Sequence, residues 1–321
     1  MGNSANQFSS LKYYKSFSSK HSSVLQLHLS FWVSLLPNPA KLVDMAALNN
    51  PPKLAEVEFA GMSETGSIRI DNQDAILVPD SPLPGLFAFL AGLADGMGGY
   101  ASGDIASKLA LSTVRQVILD TKGVSIEKVL RRAVEKANLE IYKTARQIAV
   151  GRMGTTLTAA YIDGDQLYLA HVGDSRAYLL RNGQISSLTS DHTVVGDMVR
   201  SRLIQPEAVR SHSQRSVLTR AVGLDLFITP EITTHKLNVG DRLILCSDGI
   251  WSVMEDDEIA RLALMVKHPE SLANELIQRA FSSDSDDNCS VVIADIQVFH
   301  PLSIPTEKPV SRKWLGMFER R

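Results

Sequence analysis

Four acidic motifs stand where an apolar run meets small residues. They read Leu93-Ala94-Asp95-Gly96-Met97-Gly98-Gly99, His171-Val172-Gly173-Asp174-Ser175-Arg176, Leu245-Cys246-Ser247-Asp248-Gly249 and, ahead of the last apolar run, Asp284-Ser285-Asp286-Asp287-Asn288. A carboxylate at the end of a buried strand is held rigidly, and a neighbouring glycine lets backbone or ligand approach closely. Several such carboxylates in one place repel one another unless a cation sits among them. All-oxygen donors suit Mg²⁺ or Mn²⁺. The eight histidines are scattered and form no HxxxH pair, and there is no CxxC, which argues against zinc. Asp-Gly is also common turn chemistry, so any one motif alone reads as a turn. The four together, each at a strand boundary, point to a metal site.

The elements that must carry these acids follow from periodicity. Leu86–Ala94 is almost wholly apolar and predicts a buried strand. Ser102–Ile118 and Ser125–Ala149 have helical spacing, and in the second Val129, Ala133, Ala137, Ile141 and Ala145 recur every four residues. Thr155–Ile162, Gln166–Val172 and Ala177–Leu180 are short strand-like runs, separated by Asp163-Gly164 and Gly173-Asp174. Asn182-Gly183 closes the series with a hairpin turn, since both residues tolerate positive φ. Leu188–Gly223 is polar and irregular with short helical pieces. Arg242–Cys246 and Ser290–Val298 read as strands, and Asp256–Met265 and Pro269–Phe281 as helices. Strand meanders with helices in pairs indicate an α+β architecture of segregated layers rather than alternating βαβ units.

A fifth motif lies upstream, in Arg69-Ile70-Asp71-Asn72-Gln73-Asp74. With Gly154-Thr155-Thr156, the ordered set resembles the metal-dependent PPM (protein phosphatase 2C) family of Ser/Thr phosphatases, in its bacterial form, over about residues 55 to 298. The resemblance implies a four-layer α-β-β-α sandwich, two antiparallel sheets flanked by helix pairs, with the site at one edge. By the same resemblance Asp95 bridges two metal ions and the Gly96 carbonyl adds a ligand. Asp248 and Asp287 complete one ion's shell, Asp74 binds through water, and Asp174 belongs to a weaker third site. Arg69 grips the substrate phosphate with its fork of donors. The implied activity is hydrolysis of phosphoserine and phosphothreonine in proteins. Two Mn²⁺ or Mg²⁺ ions supply an activated water for in-line attack, with no covalent enzyme intermediate. The implied partners are phosphorylated proteins and an opposing bacterial Ser/Thr protein kinase. A catalytically silent binding module of the same fold is the alternative, and intact Arg69, Asp95, Asp248 and Asp287 argue against it.

The sequence departs from the family pattern in several places. Gln73 stands where many relatives carry Glu, which removes a charge near the second ion. Tyr100 stands where bacterial relatives usually have His, so no protein general acid is assigned. Ser252 stands where an extra acid often supports the third ion. The segment from Asp191-His192 to Gly223 corresponds to a flap beside the cleft. Its Arg200, Arg202, Arg210, Arg215 and Arg220 fit either selection of acidic or multiply phosphorylated peptides or a solvated helical face. Cys246 and Cys289 each lie two positions from a proposed metal acid and read as buried inert thiols on adjacent strands. His171 and His192 read as structural hydrogen-bonders.

Composition narrows the field further. The 33 Lys+Arg against 35 Asp+Glu exclude a globally basic nucleic-acid binder, and two cysteines exclude a disulfide framework. Residues 1–52 are rich in Ser and Asn and read as a loosely ordered extension, with Met45 a second candidate start. Val24–Leu36 is too interrupted by Gln26, His28, Ser30 and Ser34 for a membrane span and, after Lys12, Lys15 and Lys20, reads at most as a poor signal peptide, so the default location is cytoplasmic; a monomer is expected. Residues 53–299 form the phosphatase-like body, and 300–321 a basic tail.

Overall fold

A computed structural model describes residues 53–98, 102–148 and 152–301. The proposed extension, nearly all of the tail, and Tyr100 therefore lie outside the described residues. Within them the chain forms two antiparallel sheets. One runs β1 (Lys53–Glu64), β11 (Cys289–Pro301), β10 (Arg242–Cys246), β7 (Arg176–Arg181), β8 (Gln184–Ser187). The other runs β2 (Asp74–Leu77), β3 (Ala88–Gly98), β5 (Leu157–Asp163), β6 (Gln166–Val172), β9 (Glu231–Lys236), with β4 (Met153–Thr155) paired to the far end of β3. Helices α1 (Ser102–Asp120) and α2 (Ile126–Gln147) cover the second sheet. Helices α5 (Asp256–Met265) and α6 (Pro269–Ser282) cover the first. The short α3 (Val194–Arg200) and α4 (Asp248–Trp251) lie in the connections.

Alternation along the strands builds the four layers. On β3, Ala88, Leu90 and Ala94 face the α1/α2 helices, while Phe89, Ala91 and Leu93 face the opposite sheet. On β11, Val291 and Ile293 face α5 and α6, while Val292, Ala294 and Ile296 fill the space between sheets. The every-fourth-residue stripe of α2 is buried throughout, and its alanines let α1 and α2 approach closely. Gly92 on β3 admits α1, because a Cβ there would lie 2.7 Å from Leu111 Cδ2. The expected α-β-β-α sandwich is the fold observed.

Boundaries differ from expectation where backbone, not hydrophobicity, decides. The strand expected to stop at Ala94 continues to Gly98, so Asp95 sits inside β3 rather than beyond it. The run expected at Thr155–Ile162 breaks at Thr156 into β4 and β5. Polar β9 was not foreseen; it gains strand form by pairing with β6. Asn182 and Gly183 take φ of 52° and 80°, the hairpin geometry expected.

Candidate metal centre

Strand pairing brings the first two acids together. In the β2–β3 ladder Asp74 stands directly opposite Asp95. Asp74 opens β2 because Asn72 Oδ1 accepts from its backbone N–H at 3.0 Å, while Asn72 Nδ2 donates to Ser63 Oγ at 2.7 Å. Asp95 is clamped by the break between β4 and β5. Its N–H donates to Thr156 Oγ1 at 2.9 Å, and its carbonyl accepts from Thr155 Oγ1 at 2.9 Å and Thr156 N at 2.8 Å. Thr156 Oγ1 also shares a 2.7 Å hydrogen bond with Ser175 Oγ, tying this clamp to the loop that carries Asp174.

The other acids arrive from neighbouring turns. Asp248 opens α4 immediately after β10. Ser247 N donates to Ser290 O at 3.0 Å and Ser290 N returns a bond to Ser247 Oγ at 3.0 Å. Gly249 follows because a Cβ there would lie 2.1 Å from Asn288 O. Asp287 sits just ahead of β11, where Asn288 N donates to its Oδ1 at 2.8 Å. Asp174 follows Gly173, whose φ of 109° turns the chain out of β6. Trp251 Nε1 donates to Asp174 O at 2.9 Å, and Arg176 lies 3.7 Å over the Trp251 ring while pairing with Asp191 at 2.7 Å. Thus the Val-Gly-Asp-Ser-Arg and Ser-Asp-Gly motifs hold each other through Trp251.

The electrostatics are those of crowded carboxylates. Both Asp74 oxygens and Asp248 Oδ1 are buried without a well-formed hydrogen bond, although the Ser290 and Ser247 hydroxyls lie near enough to Asp74 to favour its charge. Burial, with Asp248 and Asp287 nearby, pushes Asp74 up to about 7. Burial and Asp287 push Asp248 up to about 6, against a hydrogen bond with Asp95 that lowers it. Asp95 is raised well above the usual carboxylate range by burial and by Asp74, Asp248, Asp174 and Asp287. Asp174 is raised likewise by burial, then by Asp248 and Asp191. Buried carboxylates in mutual repulsion are the environment a divalent cation relieves. Among the described residues, no three His, Cys, Asp or Glu side chains close on one point as a ligand shell.

Arg69 reaches the centre from the loop between β1 and β2, its side chain 51% exposed and Nη2 2.6 Å from Asp287 Oδ2. Burial works against its charge, but Asp287, Asp248 and Asp286 outweigh it and hold the guanidinium above its ordinary value. Asn288 fastens this loop at two points. Its Oδ1 accepts from Gly66 N and its Nδ2 donates to Asp71 O, both at 3.3 Å. Gly66 is required there, since a Cβ would lie 2.3 Å from Asp287 O.

The structure places several of the departing residues. The Gln73 carbonyl accepts from Gly96 N at 3.2 Å and Ser107 Oγ at 2.7 Å, and a Cβ on Gly103 would meet Gln73 Oε1 at 2.2 Å. Gln73 is thus the packing joint between β2, β3 and the start of α1. Ser252 N donates to Asp248 O within α4. In the flap, Arg210 donates to Trp251 O and pairs with Glu255 and Asp256, and Arg200 donates to Asp191 O and pairs with Asp197. Two of the five flap arginines are therefore engaged in holding the flap. His171 Nδ1 bonds Thr158 Oγ1 at 2.9 Å, and His192 Nδ1 accepts from Gly173 N at 3.1 Å. Burial lowers them to about 4 and about 3. Cys246 and Cys289 are buried free thiols, each pushed by burial up to about 12. Sequence reading passed over Thr156, Ser175 and Trp251 as positioning groups. Only the Gly-Thr-Thr motif hinted at the first.

Comparison with known proteins gives concordant findings. The family model described as Protein phosphatase 2C matches residues 88–289. The serine/threonine protein phosphatase PstP of Mycobacterium tuberculosis is 36% identical over 242 residues, 75% of this chain and 45% of that protein. The chain thus spans less than half the length of that relative. The crystal structure of the Mycobacterium tuberculosis serine/threonine phosphatase PstP/Ppp superposes with TM-score 0.69 at 34% identity, covering 75% of this chain and 99% of that one. A second structure, the catalytic domain of PstP in complex with two manganese ions, gives TM-score 0.66 at 32% identity, covering 75% and 99%.

Proposed function

The chain belongs to the protein phosphatase 2C family, and from that premise and the geometry above we propose that it hydrolyses phosphoserine and phosphothreonine in proteins, using Mn²⁺ or Mg²⁺. The observation that carries this reading is the crowding of buried Asp74, Asp95 and Asp248, whose mutual repulsion and burial raise all three above the usual carboxylate range. Asp95, Asp248 and Asp287, with the Gly96 carbonyl, would hold the ion pair, Asp74 would bind through water, and Asp174 would serve a weaker third site. Bound there, the ions supply a water acidic enough to act as nucleophile at neutral pH and offset the charge of the phosphoryl oxygens.

The protein's own part is to orient and to balance charge. Arg69 presents two or more N–H donors to the phosphate from a loop pinned by Asn288. The Thr155–Thr156 clamp fixes the backbone of Asp95, so its carboxylate does not reorganise as charge moves. We assign residues 53–299 as the catalytic body, which the β1–β11 pairing closes and carries two residues further, to Pro301. Residues 1–52 and those after Pro301 are assigned as extension and tail.

The counterpart required by this chemistry is a Ser/Thr protein kinase that installs the phosphate. We place the pair in the cytoplasm, where ATP-dependent phosphorylation occurs and where free thiols such as Cys246 and Cys289 stay reduced. Among the described residues, no helix is long and apolar enough to cross a membrane.

The test is phosphate release from a phosphothreonine peptide with Mn²⁺, Mg²⁺ or EDTA, beside Asp95→Asn. Metal-dependent release that disappears in the variant supports the assignment. A folded protein inert under every metal would sink it and favour a silent binding module.

A further inference from the structure

Ile68 and Ile70 flank Arg69 in the chain, and they are 70% and 97% exposed. Exposed apolar residues scattered singly are ordinary, but these two share one loop that is fastened at both ends beside the acid cluster. Asn288 holds the loop at Gly66 and at Asp71, and Arg69 N donates to Gly66 O at 3.1 Å to close its turn. A loop fastened at both ends thus leaves two β-branched side chains in water on either side of Arg69, and neither gains the stabilisation that burial within the chain would give.

We propose that Ile68 and Ile70 contact the residues flanking the phosphorylated side chain and select peptide substrates with apolar neighbours there. The occupant follows from continuity with the site: a phosphate drawn to Arg69 brings the preceding and following residues of its own chain over this loop. The inference rests on the phosphatase reading above and deepens it, from phosphoprotein to a preferred local sequence. Two isoleucines offer shape and apolar area but no hydrogen bond, so they discriminate by how much flanking surface they cover.

The experiment compares two phosphothreonine peptides, one with Val and Leu on the two sides of the phosphoresidue and one with Gly on both. Para-nitrophenyl phosphate, which has no flanking residues, is the third substrate. Wild type is set beside the Ile68→Ser/Ile70→Ser protein with Mn²⁺. The expected result is a wild-type preference for the apolar-flanked peptide of about fivefold in kcat/KM, the factor that half-covering an isoleucine supplies. In the double variant the preference vanishes through KM, with para-nitrophenyl phosphate turnover and melting temperature unchanged. Equal kcat/KM for the two peptides in wild type, or a preference kept by the double variant, overturns the selection while leaving the phosphatase standing. Wild type inert on all three substrates overturns the phosphatase reading and this inference with it.

Discussion

Asp74 and Asp95 face each other across the β2–β3 ladder, two carboxylates in register on adjacent strands with Asp248 beside them. Like charges directly opposite in a sheet destabilise it. A fold that keeps them together is set for an outside positive charge. Activity and stability should therefore separate at Asp95. We expect Asp95→Asn to lose metal-dependent hydrolysis by a factor of about 10³ or more. The same protein in EDTA should melt higher than wild type, by the equivalent of roughly 1 kcal/mol, because one repelling charge is gone. Activity assays and thermal melts of the pair decide it. A variant that melts lower in EDTA would show that Asp95 is structural rather than frustrated.

The same crowding sets a pH dependence. Asp74 and Asp248 are raised from 3.8 to about 7 and about 6. For acids whose folded value is raised, the stabilising contribution is complete below the unfolded value and is lost as pH rises through the folded one. The metal-free protein thus loses stability from this pair between about pH 4 and pH 7. The buried His171 and His192, lowered to about 4 and about 3, act in the opposite sense, losing stability as pH falls. Asp74→Asn isolates the acid term. In EDTA its melting advantage over wild type should widen from about pH 5 to pH 8, and so should the wild-type gain on adding Mn²⁺. Flat differences over that range would contradict the argument.

Much of this was readable in the residues, and what was not has a physical cause. The acids at Asp95, Asp174 and Asp248 stood out because each sits beside a small residue at an apolar boundary, and Asp287 because it lies in an acidic cluster ahead of one. In the structure Gly249 admits Asn288 O, and Gly173 turns the chain out of β6. The layers were legible from the α2 stripe and the apolar β3 and β10. Strands β2 and β9 were not, since Asp74–Leu77 is short and Glu231–Lys236 is polar and half-exposed, and both exist through pairing with β3 and β6. The Thr156–Ser175 bond and the Arg176–Trp251 stack join residues 19 and 75 positions apart, a kind of contact that no local pattern encodes.

The clamp on Asp95 yields a separate expectation. Thr156→Val keeps the side-chain shape but leaves Asp95 N and Ser175 Oγ without their partner at 2.9 Å and 2.7 Å. Losing the acceptor of a buried donor costs about 1–3 kcal/mol, so the melt should fall accordingly. Asp95 would also lose its fixed orientation, and kcat should drop while KM for the peptide, set elsewhere, stays within about twofold. A fall in stability with kcat intact would mean that Thr156 only supports the fold.

Arg69 gives the sharpest contrast between charge and geometry. Its Nη2 lies 2.6 Å from Asp287 Oδ2, yet half of its side chain is in water, so as a surface ion pair the contact contributes little to stability. Its value lies in a planar fork that can serve Asp287 and a phosphate at once. Lysine keeps the charge but offers a single mobile ammonium. Arg69→Lys should therefore leave the melting temperature within the range of an ordinary surface change, about 0.5 kcal/mol. It should cut kcat/KM for phosphothreonine peptide by roughly 10- to 100-fold, the worth of one or two charge-assisted hydrogen bonds. The loss should persist on para-nitrophenyl phosphate, because the role proposed for the fork is to hold the phosphate and not the peptide. A lysine variant as fast as wild type on both substrates would mean that Arg69 serves Asp287 alone, and that phosphate is positioned by other groups.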